Sequence, residues 1–186
     1  MKEYKLPIGC DVPETIILAD GDFPSHPLAL EWLRQCPYVV CCDGAANTYI
    51  RSGRMPEAIV GDGDSLLPGI KERYASLIHS ETEQETNDLS KAFRFCLSQE
   101  RKRITIMGAT GKREDHTIGN VSLLADYMEQ AEVSMMTDYG IFVPIREDSM
   151  FESYIGQQIS VFNMNSTALS AEGLAYPLSV FTNWWQ

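Results

Sequence analysis

Gly61-Asp62-Gly63-Asp64-Ser65 sets two carboxylates one residue apart, with a glycine before each. Like charges at that spacing cost free energy unless a cation joins them. Mg²⁺ takes one or two carboxylates together with substrate phosphate oxygens. A solvated acidic turn is the alternative; an EF-hand loop is excluded, because the Asp/Asn and Gly positions it needs do not continue past Ser65 and no Glu sits twelfth. Asp43-Gly44-Ala45-Ala46-Asn47 supplies small residues whose N–H groups can approach a phosphate closely, although Asp43 would equally serve as a helix N-cap. In Glu83-Gln84-Glu85-Thr86-Asn87-Asp88, Thr86 or Asn87 can cap a following helix whose dipole suits the acids. Capping explains Asn87 and Asp88 better than it explains Gln84.

The fourth cluster, Gly108-Ala109-Thr110-Gly111-Lys112-Arg113-Glu114-Asp115-His116, fails as a P-loop. Two residues rather than four separate its glycines, and Arg113 stands where Ser or Thr is required. What survives is a glycine loop carrying Lys112 and Arg113 into a helix expected from Asp115, with arginine suited to bidentate phosphate contact. His116 reads either as a hydrogen-bonding residue at the helix start or as a base. Singly these clusters are weak; together they indicate a metal-assisted nucleotide site.

That inference needs elements that bring the clusters to one place. Thr15–Ala19, Tyr38–Cys42, Ala58–Val60 and Ile104–Met107 are unalternated apolar runs, with a weaker one at Leu77-Ile78. Pro27 opens a helix carrying Leu28, Trp32 and Leu33, and another helix follows Gly44. Leu89, Ala92, Phe93, Cys96 and Leu97 fall on one helical stripe, as do Ile118, Val121, Ala125 and Met128. Buried strands interleaved with helices predict an α/β fold: a wound, mostly parallel sheet with helices on both faces. Right-handed crossovers then place every strand-to-helix loop at one edge, where open sheets bind ligands.

Beyond residue 138 the pattern becomes period two: Ile141, Val143 and Ile145; Ile159 and Val161; Leu174, Tyr176, Leu178 and Val180, with Pro177 off that face at an expected edge. The expectation is an α/β nucleotide-binding domain at 1–138 and a small antiparallel β-sandwich domain at 139–186, too thin to stand without the first domain or another subunit.

With 186 residues, 44% hydrophobic and 22% charged, the chain has ample core for one large or two small domains. Fifteen Lys and Arg against 26 Asp and Glu leave −11, which argues against duplex nucleic acid as a partner but not against a nucleotide. No run of about 18 apolar residues suggests a membrane span, and Met1–Asp11 lacks the apolar core of a secretory leader. Five cysteines without CxxC spacing fit free thiols in a reducing cytoplasm.

In their order, these clusters resemble the motifs of the thiamin pyrophosphokinase family. The Asp-Gly-small-small-Asn turn is Asp43–Asn47, Gly-Asp-x-Asp-Ser is Gly61–Ser65, and the acidic-Gln-acidic segment followed by Lys-Ala is Glu83–Asp88 with Lys91-Ala92. Gly-x-x-Gly-x-Arg-x-Asp-His is Gly108–His116 with Asn120 beyond, and Gly173–Leu178 matches a late Gly-Leu-Lys-aromatic strand. Here Glu83 and Glu85 replace aspartates, Asn87 replaces threonine and Ala175 replaces lysine. The family pattern runs on past Gln186 with a Ser-Asn-containing strand, so the second domain is either cut short or continued in a tail these 186 residues do not include.

The resemblance implies Mg-dependent transfer of the pyrophosphoryl group of ATP to the hydroxyl of thiamin, by a cytoplasmic homodimer with shared active sites. Asp62, Asp64 and Asp88, with Asp43 as a further candidate, would hold Mg²⁺. Asp62, Asp64, Asp88, Arg113 and Asp115 would be catalytic, with Asp115 holding Arg113 or the thiamin hydroxyl. ATP would contact Asp43, Gly44, Asn47, Ser65, Lys91, Gly108, Gly111, Lys112, Arg113 and His116. Thiamin would contact Gln84, Glu85, Asn87 and Tyr176. Tyr176 from the partner subunit could stack on the ring, with a core aromatic as its other reading and Trp184 and Trp185 as other stackers. Two further classes remain open: another Mg-dependent nucleotide diphosphotransferase or phosphohydrolase, and a non-catalytic thiamin- or nucleotide-binding protein.

Overall fold

The computed structural model describes residues 1–7, 11–81, 83, 85–164, 169–176 and 178. Its central sheet is built from β2 (Thr15–Leu18), β3 (Val39–Cys42), β4 (Ala58–Gly61), β5 (Ile78–Ser80), β6 (Arg103–Met107), β7 (Glu132–Met136) and β8 (Ile141–Phe142), and β1 (Lys2–Tyr4) and β9 (Ser149–Phe151) form a separate parallel pair. Strand order in the sheet is β5-β4-β3-β2-β6-β7-β8, parallel except that β8 runs antiparallel to β7. The mixed α/β class, with a mostly parallel sheet flanked by helices, is the one the sequence indicated.

The helices are α1 (Pro27–Gln35), α2 (Ala45–Arg51), α3 (Pro68–Arg73), α4 (Asp88–Ser98) and α5 (Glu114–Tyr127). Alternate strand residues feed two cores. Ile16, Leu18, Val39, Cys41 and Ile59 pack with α1 and α2, through Trp32, Leu33 and Tyr49. Ile17, Val40, Val60 and Ile106 pack with α4 and α5, through Phe93, Leu124 and Tyr127. The chain winds outward from β2 to β5, then crosses back along α4 to β6 on the other side of β2. The order therefore reverses between β2 and β6, which makes their C-terminal ends the crevice of this fold.

Several local readings need correction. Strand β7 and helix α3 were not anticipated: β7 carries Ser134 in mid-strand, where its hydroxyl meets that of Thr105 at 3.2 Å, and α3 buries no residue. The buried face of α5 is Asn120, Leu124 and Tyr127, while Ile118, expected in the stripe, is 44% exposed. After residue 138, β8 adds to the central sheet, and antiparallel pairing among the described residues is that of β8 with β7. Val143, Ile145, Ile159, Val161, Leu174, Tyr176 and Leu178 lie outside strands, because two or three alternating apolar residues also suit irregular extended chain. Pro177 and Val180 are outside the described residues.

The offset of α5 can be tested by truncation. Leu124→Ala should cost about 2–5 kcal/mol, as for a buried leucine, and Ile118→Ala under about 1 kcal/mol. Urea midpoints would reveal it; equal losses would contradict the assigned face.

Candidate active site

Asp43, Asp62 and Asp64 converge where β3 and β4 end. One carboxylate oxygen from each lies within 4.8 Å of the others. Asp43 is buried and sits on left-handed backbone at φ 32°. Gly61 makes room for it, since a Cβ there would come 2.8 Å from Asp43 Cβ. The capping alternative for Asp43 is excluded, because α2 has no side-chain cap; Oδ2 instead accepts the Ser65 N–H at 3.1 Å. Oδ1 is buried with no hydrogen-bond donor directed at it. An acceptor stranded beside two more carboxylates is the environment a hard divalent cation fits.

The acidic turn is held from several sides. Asp62 accepts the Asp64 N–H at 3.1 Å, and the Ser65 hydroxyl donates to Asp64 at 3.0 Å. Asn47 reaches across from α2, donating to the Ser65 carbonyl at 2.8 Å and accepting the Leu67 N–H at 3.0 Å. Both ends of its amide thus hold the turn. Lys71 donates to the Gly63 carbonyl at 2.7 Å. The sequence reading passed over this cation along with α3; Pro68, at the first helical position, was the available signal.

Asp88 stands apart from the three clustered acids, in the first turn of α4, paired with Lys91 at 3.0 Å. Lys91 is only 3% exposed. Burial would lower its ammonium, but Asp88 and Asp62 outweigh that and hold it above its ordinary value. Thus Asp88 and its buried partner lie within electrostatic reach of the cluster.

Lys112, on left-handed backbone, donates to the carbonyl and carboxylate of Asp20 at 2.7 and 3.1 Å. A cavity of about 170 Å³ opens there, lined by Asp20, Gly21, Asp22, Ala45, Thr48 and Lys112. Asp20 and Asp22 follow directly on the apolar run Thr15–Ala19, and their Asp-Gly-Asp spacing, which repeats that of Asp62–Asp64, is the signal in the sequence that marks them. Gly108 permits the close approach of this loop, since a Cβ there would lie 2.6 Å from the Ala19 carbonyl. Gly44 is buried beside Asp20, and the exposed Gly111 lies against Asp22.

The remaining candidates are dispersed. Arg113 and Asp115 form an exposed pair, Nε to Oδ1 at 3.0 Å, which pulls the Asp115 carboxyl down to about 2. His116 and Glu85 are exposed. Asn87 caps α4, its Oδ1 accepting the Ser90 N–H at 2.9 Å. Tyr176 is 86% exposed, so among the described residues it is no core aromatic. Gln84, Trp184 and Trp185 lie outside the described residues.

Burial, aided by the carboxylates of Asp64, Asp88 and Asp62 and opposed by the Ser65 N–H, pushes the Asp43 carboxyl up to about 6 from an ordinary 3.8. The folded chain therefore binds this proton more tightly than the unfolded chain. Its contribution is favourable at low pH, fades as pH rises from about 4, and is lost above about 6. In chelator, Asp43→Asn should stabilise the protein at pH 7.5 by roughly 2 kcal/mol and give no gain at pH 4. Asparagine also tolerates the left-handed backbone. Urea midpoints at the two pH values decide the matter, and no gain at pH 7.5 would refute the raised carboxyl.

Comparisons with known proteins meet this geometry from outside. A family model described as the thiamin pyrophosphokinase catalytic domain matches residues 29–136, and one described as the thiamin pyrophosphokinase substrate-binding domain matches residues 140–186. Thiamine pyrophosphokinase 1 of Oryza sativa subsp. japonica is 30% identical over 129 residues, covering 56% of this chain and 49% of that protein. The crystal structure of yeast thiamin pyrophosphokinase superposes with a TM-score of 0.59 at 19% identity, over 73% of this chain and 63% of that one, a likeness of fold alone. Thiamin pyrophosphokinase from Geobacillus thermodenitrificans gives a TM-score of 0.55 at 26% identity, over 66% of this chain and 58% of that one. The chain spans about half the length of the curated relatives it matches. Because the catalytic-domain model alone covers more than half of the sequence, the chain belongs to the thiamin pyrophosphokinase family.

Proposed function

We propose that this chain is a Mg-dependent thiamin pyrophosphokinase, transferring the pyrophosphoryl group of ATP to the hydroxyl of thiamin to give thiamin diphosphate and AMP. The observation that carries the reading is the convergence of Asp43, Asp62 and Asp64 at the sheet edge of a chain from this family. These three carboxylates would hold Mg²⁺, with Asp88 adding its charge nearby. Bound there, the ion supplies charge neutralisation for phosphate oxygens and orientation of the β-phosphorus for in-line attack.

The chain's own groups complete the site. Lys112 would exchange Asp20 for phosphate oxygens of ATP beside the cavity, and Arg113 would turn from Asp115 to a bidentate phosphate contact. Lys91, buried against Asp88, offsets the concentrated negative charge. Asn47 and Ser65 act by shaping the acidic turn, with Gly44, Gly108 and Gly111 allowing close backbone approach. Tyr176, exposed in the segment matched by the substrate-binding model, would stack on the thiamin ring, with Gln84 and Glu85 reading its pyrimidine. The substrate hydroxyl is itself the nucleophile.

We further propose a catalytic domain at 1–138, a thiamin-binding domain at 139–186, and a homodimer with shared sites. Supporting the division, the two family matches meet between residues 136 and 140. Supporting a partner subunit, Tyr139, Ile145, Tyr154, Ile155 and Phe162 are exposed apolar side chains gathered after residue 138. No helix among the described residues is long and apolar enough to cross a membrane. Free Cys36, Cys41, Cys42 and Cys96 suit the reducing cytoplasm proposed as its location.

Incubation with Mg·ATP and thiamin should yield AMP and thiamin diphosphate, and chelation should stop turnover until Mg²⁺ is restored. ADP or free phosphate would mean a different phosphotransfer, and binding without turnover a sensor. Asp64→Asn should lower turnover by about a hundredfold or more with an unchanged far-UV spectrum; near-normal activity would remove the metal assignment.

A further inference from the structure

Two loops of the site are joined by side-chain amides. Asn87 caps α4 with Oδ1, while its Nδ2 donates to Asn120 Oδ1 at 3.1 Å. Asn120 lies in the second turn of α5, 8% exposed, and its Nδ2 donates to the Ala109 carbonyl at 2.8 Å. One end of this chain of bonds is the N-terminus of α4, which carries Asp88 and Lys91. The other end is the glycine loop leading to Lys112. That loop is laced in turn to the exit of β2, where Gly21 N–H donates to the Gly108 carbonyl at 2.6 Å and Asp22 N–H to the Thr110 carbonyl at 2.8 Å.

Asn120 occupies a position that helical periodicity assigns to the core, one turn before Leu124 and two before Tyr127. A buried amide there is costly unless its donor and acceptor are both matched, and here they are. A carboxamide at 120 accepts from Asn87 through one atom and donates to Ala109 through another; an aliphatic side chain does neither, a carboxylate cannot donate, and a hydroxyl has a single atom for both partners. Asn87 likewise combines a cap with a second donor. Threonine at 87 would keep the cap, but its hydroxyl stands one bond nearer the backbone than Nδ2 and falls short of Asn120.

We propose that Asn87 and Asn120 form a positioning relay that fixes the acidic N-terminus of α4 against the cationic glycine loop, so that both halves of the nucleotide site keep one geometry. Neither residue touches the reacting atoms. The relay rests on the reading of this edge as a nucleotide site, but its physical content, a mechanical link between α4 and the β2–β6 crevice, is measurable apart from activity.

The test uses the full chain with Asn87→Thr, Asn120→Leu and the double variant. Hydrogen exchange is followed at Gly21 and Asp22, whose amides report attachment of the loop, and KM for Mg·ATP is measured separately from kcat. Asn87→Thr should speed that exchange about fivefold and raise KM for Mg·ATP by a similar factor, the equivalent of one ordinary hydrogen bond, with kcat changed less and helix content unchanged. Adding Asn87→Thr to Asn120→Leu should speed exchange no further, because the link is already cut. Unchanged exchange in Asn87→Thr, or simple additivity in the double variant, would overturn the relay. Should Asn120→Leu not fold, Asn87→Thr alone decides. If the unaltered chain lacks pyrophosphokinase turnover, the proposed function falls, and exchange still judges the relay.

Discussion

Mutual repulsion among three carboxylates is the constraint around which this molecule is arranged. Asp43, Asp62 and Asp64 bring oxygens within 4.8 Å of one another, one of them from a buried side chain on left-handed backbone. Left to itself such a group would spread into solvent or take up a proton. It is held instead by neutral donors and by cations at one remove: the Ser65 N–H, Asn47 spanning the turn, Lys71 on the Gly63 carbonyl and Lys91 beside Asp88. None of these donates to Asp43 Oδ1. A protein that maintains such an arrangement has folded stability that depends on what binds there.

The sheet makes the clustering feasible. Parallel strands deliver their C-terminal ends to one rim, and the strand order reverses between β2 and β6, the point at which open sheets of this kind form a crevice. Acids come from the ends of β3 and β4, and cations from the loop after β6 and from α3 and α4. The division of labour is topological before it is chemical. Any β-strand slip by one residue would exchange the two core faces and turn Asp43 away from Asp62.

Strands β2, β3, β4 and β6 were legible because each is a short apolar run buried on both faces, and α4 because its apolar residues repeat at helical spacing. The four clusters were visible as unusual residue types at strand ends. Asp43 could not be told from a cap, since both readings use the same residue and only the direction of its carboxylate separates them. Lys71 was hidden because its role is to hold a backbone carbonyl, which leaves no mark in residue spacing. Asn120 sits in a buried stripe that an apolarity count shifts by a position, toward the exposed Ile118. Alternation at Ile159 and Val161 misled for the opposite reason: a short period-two pattern arises readily without a partner strand.

Strand β2 has a partner on each side, but they reach it at very different times. It pairs with β3 from Val39 onward, only a helix away, and with β6 in the register Thr15 to Ile104, about 90 residues further along. During synthesis, therefore, one edge of the innermost strand stays open until the ribosome has released most of the α/β region. Sequence-distant pairing of this kind slows folding and exposes an apolar edge to neighbouring chains. Closing the sheet at the β2–β6 seam is therefore a late step, set by the same reversal of strand order that forms the crevice.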